Sequence, residues 1–161
     1  MPDKRNKGAA DPPPVLDLAH FLPYRLSVLA NIVSQGIAQG YQSRYRLSVT
    51  EWRVLAVLGR YPGLSAIEVG ERIAMDKVAV SRAVAQLQKS GRISRELEPA
   101  DRRRSILNLS AQGRAIYAEV APMALAQEQR LLSVLSPAER AALDAILGKL
   151  AGAGLAALAQ P

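Results

Sequence analysis

The sequence predicts a mainly α-helical fold that includes one small antiparallel β hairpin. Apolar residues recur at three- and four-residue steps over most of the 161 residues, which is the period of an amphipathic helix. The stretch from Ile93 to Leu109 instead alternates at a period of two, which is the period of a strand. With 49% hydrophobic residues, the chain can build one domain, or two small lobes on a shared core, without a metal or a disulfide.

The N-terminal part of the chain is predicted to be a polar tail followed by a long helix. Residues 1–14 offer little apolar surface to bury and end in three prolines, so we expect a flexible tail. From Val15 to about Arg46 the apolar residues keep a helical period, and Pro23 is expected either to bend this helix or to follow a short first turn. The apolar stripe consists of Leu18, Leu22, Leu26, Leu29, Val33, Ile37 and Tyr41.

Two helices are predicted between residues 50 and 74. Thr50 is the expected N-cap of the first, and Pro62 with Gly63 ends it. Ser65 and Glu68 have the spacing of a capping box, in which each side chain satisfies a free backbone amide of the other residue. The capping box therefore marks the start of a second, short helix.

A further helix and the hairpin follow. Asp76 is the expected N-cap of that helix, and Gly91 stands where a left-handed C-terminal cap belongs. Residues 93–97 and 105–109 alternate in the manner of paired strands, and Pro99, Ala100 and Asp101 turn the chain between them. Two helices joined by a tight turn and followed by a hairpin form a winged helix-turn-helix.

The C-terminal part of the chain is predicted to be helical. Ser110 begins a long helix that is expected to be interrupted near Pro122, and Ser136 with Glu139 forms a second capping box with Pro137 at the first helical position. This last helix carries more apolar surface than a single surface helix needs, so a twofold dimer interface is expected there. Its apolar residues are Leu143, Ile146, Leu147, Leu150, Leu155 and Leu158.

Charge favours a polyanionic partner. The net charge is +7, and the segment from Arg72 to Arg104 holds nine basic and four acidic side chains. A solvated charged face is the alternative interpretation of such a segment.

Composition excludes several classes of function. Cysteine is absent, so thiol redox sensing, cysteine-bound zinc and disulfides are excluded, and a reducing compartment is expected. A single histidine, no glycine-rich phosphate loop and no metal-spaced carboxylates leave no catalytic residues, metal site or cofactor to assign. We find no apolar run near the ~20 residues that span a bilayer, so we expect a cytoplasmic protein without a membrane partner.

The helix that begins after Asp76 has an apolar face and a polar, basic face. A DNA major groove of about 12 Å admits one such helix, whose outward side chains then reach the base edges. Ser81 and Arg82 suit phosphate or guanine, Gln86 suits adenine or the backbone, and Val78 suits a thymine methyl group. The predicted DNA-binding residues of this helix are Lys77, Val78, Ser81, Arg82 and Gln86. A helix that is only made soluble by its charge is the alternative.

The tip of the hairpin supplies a second candidate contact. Arg102, Arg103 and Arg104 follow Asp101 at the turn, where long side chains extend well beyond the backbone. Arginine is favoured in a narrow minor groove because the negative potential is enhanced there. We therefore predict that the three arginines bind DNA and that Asp101 stabilises the tip by pairing with one of them. The alternative is a solubilising edge on a short sheet.

These residues resemble a known family. The pattern that carries the resemblance is Asp101-x-Arg103-x-x-x-Leu107-x-Leu109-Ser110-x-x-Gly113, preceded by Ser81-Arg82 and Gly91. It resembles the MarR family of bacterial transcription regulators, and the order of helices extends the similarity over about residues 15–150. Ser110 stands where threonine is common in the family, and the absence of cysteine departs from its peroxide-sensing branch.

The resemblance implies a homodimer that binds a palindromic DNA operator and is regulated by a small ligand. It implies helical dimerisation segments at 15–47 and 111–161 on either side of a DNA-binding lobe at 48–110. Arg103 would be the minor-groove arginine and Asp101 its stabiliser, and Ser81 and Arg82 would contact the operator. In this family the ligand, often an aromatic acid, weakens DNA binding, which predicts a repressor released by its effector.

Aromatic residues mark the candidate effector pocket, which the family places between the dimerisation helices and the DNA-binding lobe. The candidate effector residues are His20, Tyr24, Arg25, Tyr41, Tyr45 and Trp52. The stretch Leu22–Leu29 is similar to regulators of aromatic-acid catabolism, including hydroxycinnamate sensors, so an aromatic acid or its CoA thioester is the expected ligand. A satisfied interface role for His20 and core roles for Tyr24 and Trp52 are the alternatives.

Three other functions remain open at this point. A constitutive DNA-binding dimer keeps the hairpin and needs no effector pocket. An enzyme lacks residues from which to build a catalytic site. A protein-interaction module would leave the consecutive arginines at the hairpin tip without a purpose.

Overall fold

A computed structural model describes residues 14–98 and 104–159, and it confirms the predicted mainly α fold with one antiparallel hairpin. The described residues fall into two compact units, one ending at Ser34 and the other beginning at Gln35. The elements in chain order are α1 Leu22–Gln39, α2 Gln42–Tyr45, α3 Val49–Arg60, α4 Ala66–Ile73, α5 Lys77–Lys89, β1 Ile93–Leu97, β2 Ser105–Leu109, α6 Ala111–Leu132, α7 Pro137–Lys149, a π-helical turn Leu150–Gly154 and α8 Leu155–Leu158.

The first unit contains a turn and the beginning of α1. The turn is closed by a hydrogen bond from the His20 amide to the Asp17 carbonyl of 3.2 Å, and α1 begins only at Leu22. Pro23 occupies the first helical turn, where its missing N–H costs no hydrogen bond, so it follows a separate turn and does not bend the helix. Apart from Pro14, the predicted tail at 1–14 lies outside the described residues.

The core of the second unit is built from the apolar faces of α3 to α6 and the hairpin. The fully buried side chains include Val54, Leu55, Val69, Leu87, Leu107 and Val120. Helix α3 begins two residues earlier than predicted, because Ser48 and not Thr50 is its N-cap. The Ser48 hydroxyl accepts from the Glu51 amide at 3.2 Å while the Glu51 carboxylate accepts from the Ser48 amide at 2.7 Å. A complete capping box therefore outcompetes the single hydroxyl of Thr50.

The caps of α4 and α5 confirm their predicted starts. The Ser65 hydroxyl accepts from the Glu68 amide at 3.3 Å, and the Glu68 carboxylate accepts from the Ser65 amide at 2.7 Å. Asp76 accepts from the amides of Val78 and Ala79 at 2.9 and 3.1 Å. Gly91 has the expected positive φ of 68° just beyond α5. The helix-turn-helix is thus fixed at its ends by local hydrogen bonds.

The hairpin pairs as predicted and is joined to the segment before α4. β1 and β2 are antiparallel, with Ile93 opposite Leu109 and Leu97 opposite Ser105. The Leu107 amide donates to the Leu64 carbonyl at 2.8 Å, which adds an isolated bridge on the other side of β2. The base of the hairpin is therefore held by backbone hydrogen bonds on both edges of β2.

Helix α6 begins where predicted but does not break at Pro122. The Ser110 hydroxyl accepts from the Gly113 amide at 3.0 Å, and a Cβ at Gly113 would lie 2.0 Å from the Arg92 carbonyl oxygen, so only glycine fits there. The helix continues through Pro122 to Leu132. Ala121 and Ala124 pack on the core on both sides of the proline, and this packing offsets its ~3 kcal/mol cost.

The C-terminal helices correct one expectation. The continuous helical run Pro137–Leu158 has 22 residues and contains an 18-residue window with a mean hydropathy of 1.5, so by length and composition alone it is long and apolar enough to cross a membrane, contrary to the expectation that no apolar run comes near that length. Ser136 and Glu139 form the predicted capping box at its start. None of its apolar window is buried within the described single chain. The apolar side chains of this run are therefore uncovered in the described single chain.

Candidate nucleic-acid interface

Helix α5 has the predicted division between a buried and an exposed face. Val80, Ala83, Val84 and Leu87 are buried. The five predicted DNA-binding residues of the helix are all exposed on its other side, namely Lys77, Val78, Ser81, Arg82 and Gln86. The helix has 13 residues, about 20 Å at 1.5 Å per residue, which suits a major groove. The placement is as predicted, and the contacts themselves stay a prediction.

The base of the hairpin is held to α4 by charged side chains. Nη2 of Arg104 donates to the Glu68 carboxylate at 2.7 and 2.5 Å, and Nη1 donates to Glu98 at 2.9 Å. The pKa of Glu68 is lowered to about 2, first by the Ser65 backbone amide and then by the Arg104 guanidinium. Both carboxylates raise the pKa of Arg104. The Arg104 side chain, which the sequence predicts to bind DNA, therefore already has two carboxylate partners within the chain.

The rest of the predicted hairpin tip lies outside the described residues. This applies to Asp101, Arg102 and Arg103. The described strand leading to the tip carries Arg95, whose side chain is exposed. The assignment of the two tip arginines to DNA and of Asp101 to the tip's stability stays a prediction.

A cavity beside α5 was not predicted from the sequence. It has a volume of about 510 Å³ and lies between α4 and the start of α5, lined by residues that include Ile67, Met75, Lys77 and Ser81. Its lining is mostly apolar and includes Gly70 of α4, where an added Cβ would make an ordinary van der Waals contact of 3.8 Å with Val80.

Three of the predicted effector residues lie in the first unit. His20 Nδ1 is 2.7 Å from Asp17 Oδ2, and both side chains are exposed. Tyr24 and Arg25 lie on α1 and are exposed as well. These three side chains are accessible, and their contact with a ligand stays a prediction.

The other three predicted effector residues lie in the second unit. Tyr41 and Trp52 are buried in the core with ring centroids 5.6 Å apart, and Trp52 stacks on Tyr117 at 6.1 Å. This burial agrees with the alternative core role of Trp52. The Tyr41 hydroxyl has no hydrogen-bond partner within the described part of the chain, and burial raises its pKa to about 12. Tyr45 is half-buried and donates to Glu119 at 2.5 Å.

Comparison with known proteins finds a family model that matches part of the chain. Residues 47–104, which contain the capped helix pair and the base of the hairpin, match the model of the MarR family. The helix-turn-helix and the base of the hairpin are therefore the part of the chain that is similar to this family. A Thauera aromatica protein described as a transcriptional regulatory protein for the hcr operon is 32% identical over 97 residues, which are 60% of this chain and 58% of that relative. The alignment therefore spans little more than half of the curated relative.

Two solved structures share the fold of this chain. The transcriptional repressor CouR, solved with a 23-mer DNA duplex, has a TM-score of 0.71 and 26% identity, and the match covers 84% of this chain and 95% of CouR. Bordetella bronchiseptica BpsR, whose DNA binding is regulated by 6-hydroxynicotinic acid, has a TM-score of 0.74 and 24% identity over 86% of this chain and 98% of BpsR. The relatives are regulators of transcription and not enzymes.

Proposed function

We propose that the chain is a DNA-binding transcription regulator that acts as a homodimeric repressor on a palindromic operator. The observation that carries the proposal is α5, which exposes cationic and polar side chains while its apolar face is buried against the rest of the lobe. This helix lies in the segment that matches the MarR family, and CouR, a relative of the same fold, is a repressor solved with duplex DNA.

We assign base and phosphate contacts to different residues of the lobe. Ser81 and Arg82 lie on the exposed face of α5 and suit phosphate or guanine. Lys77 near the start of the helix suits a phosphate, Gln86 suits adenine, and Val78 suits a thymine methyl group. Arg102 and Arg103 enter the minor groove, and Asp101 holds them in one conformation.

The proposed homodimer is formed by the terminal helices, within residues 15–47 and 111–161, around a DNA-binding lobe at 48–110. In α1 the apolar side chains of Leu22, Leu29 and Ile32 are exposed. In the C-terminal run Ile146, Leu147 and other apolar residues are exposed in the same way. A second copy of the chain is the occupant that covers such surfaces symmetrically, and it also provides two α5 helices about 34 Å apart for two half-sites. We place the regulator in the cytoplasm.

The proposed effector is a small aromatic acid or its CoA thioester, which releases the repressor from DNA. Arg25 on α1 is exposed and able to pair with a carboxylate. An aromatic acid regulates DNA binding by BpsR, which shares the fold. A ligand that favours one spacing of the two lobes by 1–3 kcal/mol changes DNA affinity about 5- to 150-fold. A constitutive DNA-binding dimer without an effector is the second candidate.

DNA binding is tested by a gel shift on the fragment upstream of the protein's own gene. We expect salt-sensitive binding that an Arg82→Ala, Arg103→Ala double variant weakens strongly, because each arginine contributes a separate groove contact. Undiminished binding by the double variant would overturn the assignment.

The effector is tested by calorimetry with a panel of aromatic acids and their CoA thioesters. Saturable binding of one compound, together with release of the DNA fragment at the same concentrations, supports the ligand-responsive repressor. Failure of every compound to saturate the protein favours the constitutive dimer.

A further inference from the structure

The charged cluster at the base of the hairpin links two elements that are distant in the sequence. Arg104 lies one residue before β2, and its two terminal nitrogens bond Glu98 on the opposite side of the hairpin and Glu68 in the first turn of α4. The backbone adds a hydrogen bond of 2.9 Å from the Glu98 amide to the Arg104 carbonyl. The side chain of Arg104 thus joins both arms of the hairpin to the helix-turn-helix.

The position of this cluster along the hairpin gives it a mechanical role. Strand pairing begins at Leu97 opposite Ser105, so Glu98 and Arg104 form the first pair beyond the strands on the side of the tip. The Leu64–Leu107 bridge anchors the hairpin further down. In the described part of the chain, the side chain of Arg104 links this end of the hairpin to α4. With the link, the direction of this end is fixed relative to α4, which packs against α5.

We propose that Arg104 is a positioning residue, which ties the hairpin to α4 through Glu68 and sets the direction in which the tip arginines reach DNA, and that it does not bind DNA itself. The inference rests on the proposed function as a DNA-binding regulator, and it replaces the DNA contact that the sequence suggested for Arg104. Glu68 then has two tasks, since its carboxylate caps α4 and holds Arg104.

Whether one substitution raises or lowers the affinity for DNA separates this role from a direct contact. Glu68→Gln removes a negative charge near the interface and leaves a side chain that still suits a capping box. If Arg104 bound phosphate and Glu68 only restrained it, the variant would bind DNA more tightly. If Glu68 and Arg104 set the direction of the hairpin, the variant binds more weakly even though it has lost a negative charge. We expect weakening on the order of threefold to tenfold on the upstream fragment.

Glu139→Gln is the matched control. Glu139 is the capping-box glutamate of α7, its carboxylate bonds the Ser136 amide and hydroxyl, and its substitution changes the net charge by the same amount. We expect DNA affinity within about twofold of the wild type. Equal circular dichroism spectra and melting temperatures within a few degrees establish that all variants fold.

A double-mutant cycle tests whether Arg104 acts through Glu68. Arg104→Gln and the double variant with Glu68→Gln are expected to bind with the same affinity, because the second substitution removes an interaction that is already lost. Weakening by Arg104→Gln that is independent of Glu68, or tighter binding by Glu68→Gln, would overturn the proposal.

Hydrogen exchange provides a readout that needs no DNA. The Glu98 amide bonds the Arg104 carbonyl, so its exchange is expected to accelerate in Glu68→Gln and Arg104→Gln and to stay unchanged in Glu139→Gln. If the wild type fails to bind the upstream fragment, the proposed function fails and the exchange experiment still decides whether the link exists. An unchanged exchange rate of the Glu98 amide in both Glu68→Gln and Arg104→Gln contradicts the proposal.

Discussion

Helices α5 and α7 each have 13 residues, but they differ in what their apolar side chains contact. In α5 four apolar residues are buried within the chain, and the opposite face is polar. In α7 no residue is buried, and Leu143, Ile146 and Leu147 are exposed. The comparison shows that the apolar side chains of α5 are buried by its own chain, which leaves its polar face exposed. The apolar side chains of α7 are uncovered in the described single chain, and the proposed second copy would bury them.

The largest expected effect is the loss of unfolding free energy when a buried side chain of α5 is truncated. Leu87→Ala removes a fully buried side chain of α5 and leaves a cavity, so we expect a loss of about 2–5 kcal/mol of unfolding free energy. Leu147→Ala in α7 is the counterpart, and at protein concentrations where the chain is monomeric we expect a loss below about 0.5 kcal/mol. Urea denaturation measures both. Equal losses in the two variants would contradict the comparison.

The next effect concerns the partner of α7. Ile146→Glu places a charge on the exposed apolar face, which the proposed homodimer would bury, so we expect dimerisation to weaken by at least about 100-fold. Analytical ultracentrifugation measures the dissociation constant, and circular dichroism verifies that the lobe stays folded. Glu128→Gln on α6 serves as a surface control. A chain that sediments as a monomer before the substitution, or as an unchanged dimer after it, would refute this role of α7.

The smallest effect depends on pH and concerns the link between α4 and the hairpin. The pKa of Glu68 is lowered from 4.5 to about 2 in the folded chain, so its carboxylate stabilises the fold above pH 4.5 and this contribution is lost as the pH falls toward 2. The wild type is therefore expected to be more stable than Glu68→Gln at neutral pH, with a difference that shrinks between pH 4.5 and 2. Thermal denaturation across this range measures it, and a difference that persists at pH 2 would contradict the cause.

Local signals account for most of the fold that the sequence predicted. The starts of α4, α5 and α7 follow from caps that each span four residues, and the hairpin follows from alternation. The predicted start of α3 was wrong because Ser48 and Thr50 both offer a hydroxyl, and only the position of Glu51 decides between them. The predicted interruption of α6 near Pro122 was wrong because packing on the core outweighs the local cost of a proline.

The candidate site was less predictable because its decisive contacts are not local. The exposed face of α5 follows from helical periodicity alone. The partner of Arg104 lies 36 residues away in the chain, and no spacing rule connects the arginine with Glu68. Aromatic side chains suit both pockets and cores, so the sequence left both roles open for Trp52, and the burial of Tyr41 and Trp52 became known only from the packing of α3 and α6. Their contact with a ligand stays a prediction.

The most direct test of the account compares one positive charge on each of the two helices. Arg82→Ala removes an exposed charge from α5, and Lys149→Ala removes one from the end of α7. In a salt titration of binding to the upstream DNA fragment, we predict that Arg82→Ala weakens binding by about 1–3 kcal/mol and that Lys149→Ala leaves it nearly unchanged. Equal weakening by the two variants would show that net charge and not the face of α5 binds DNA, and it would contradict the account.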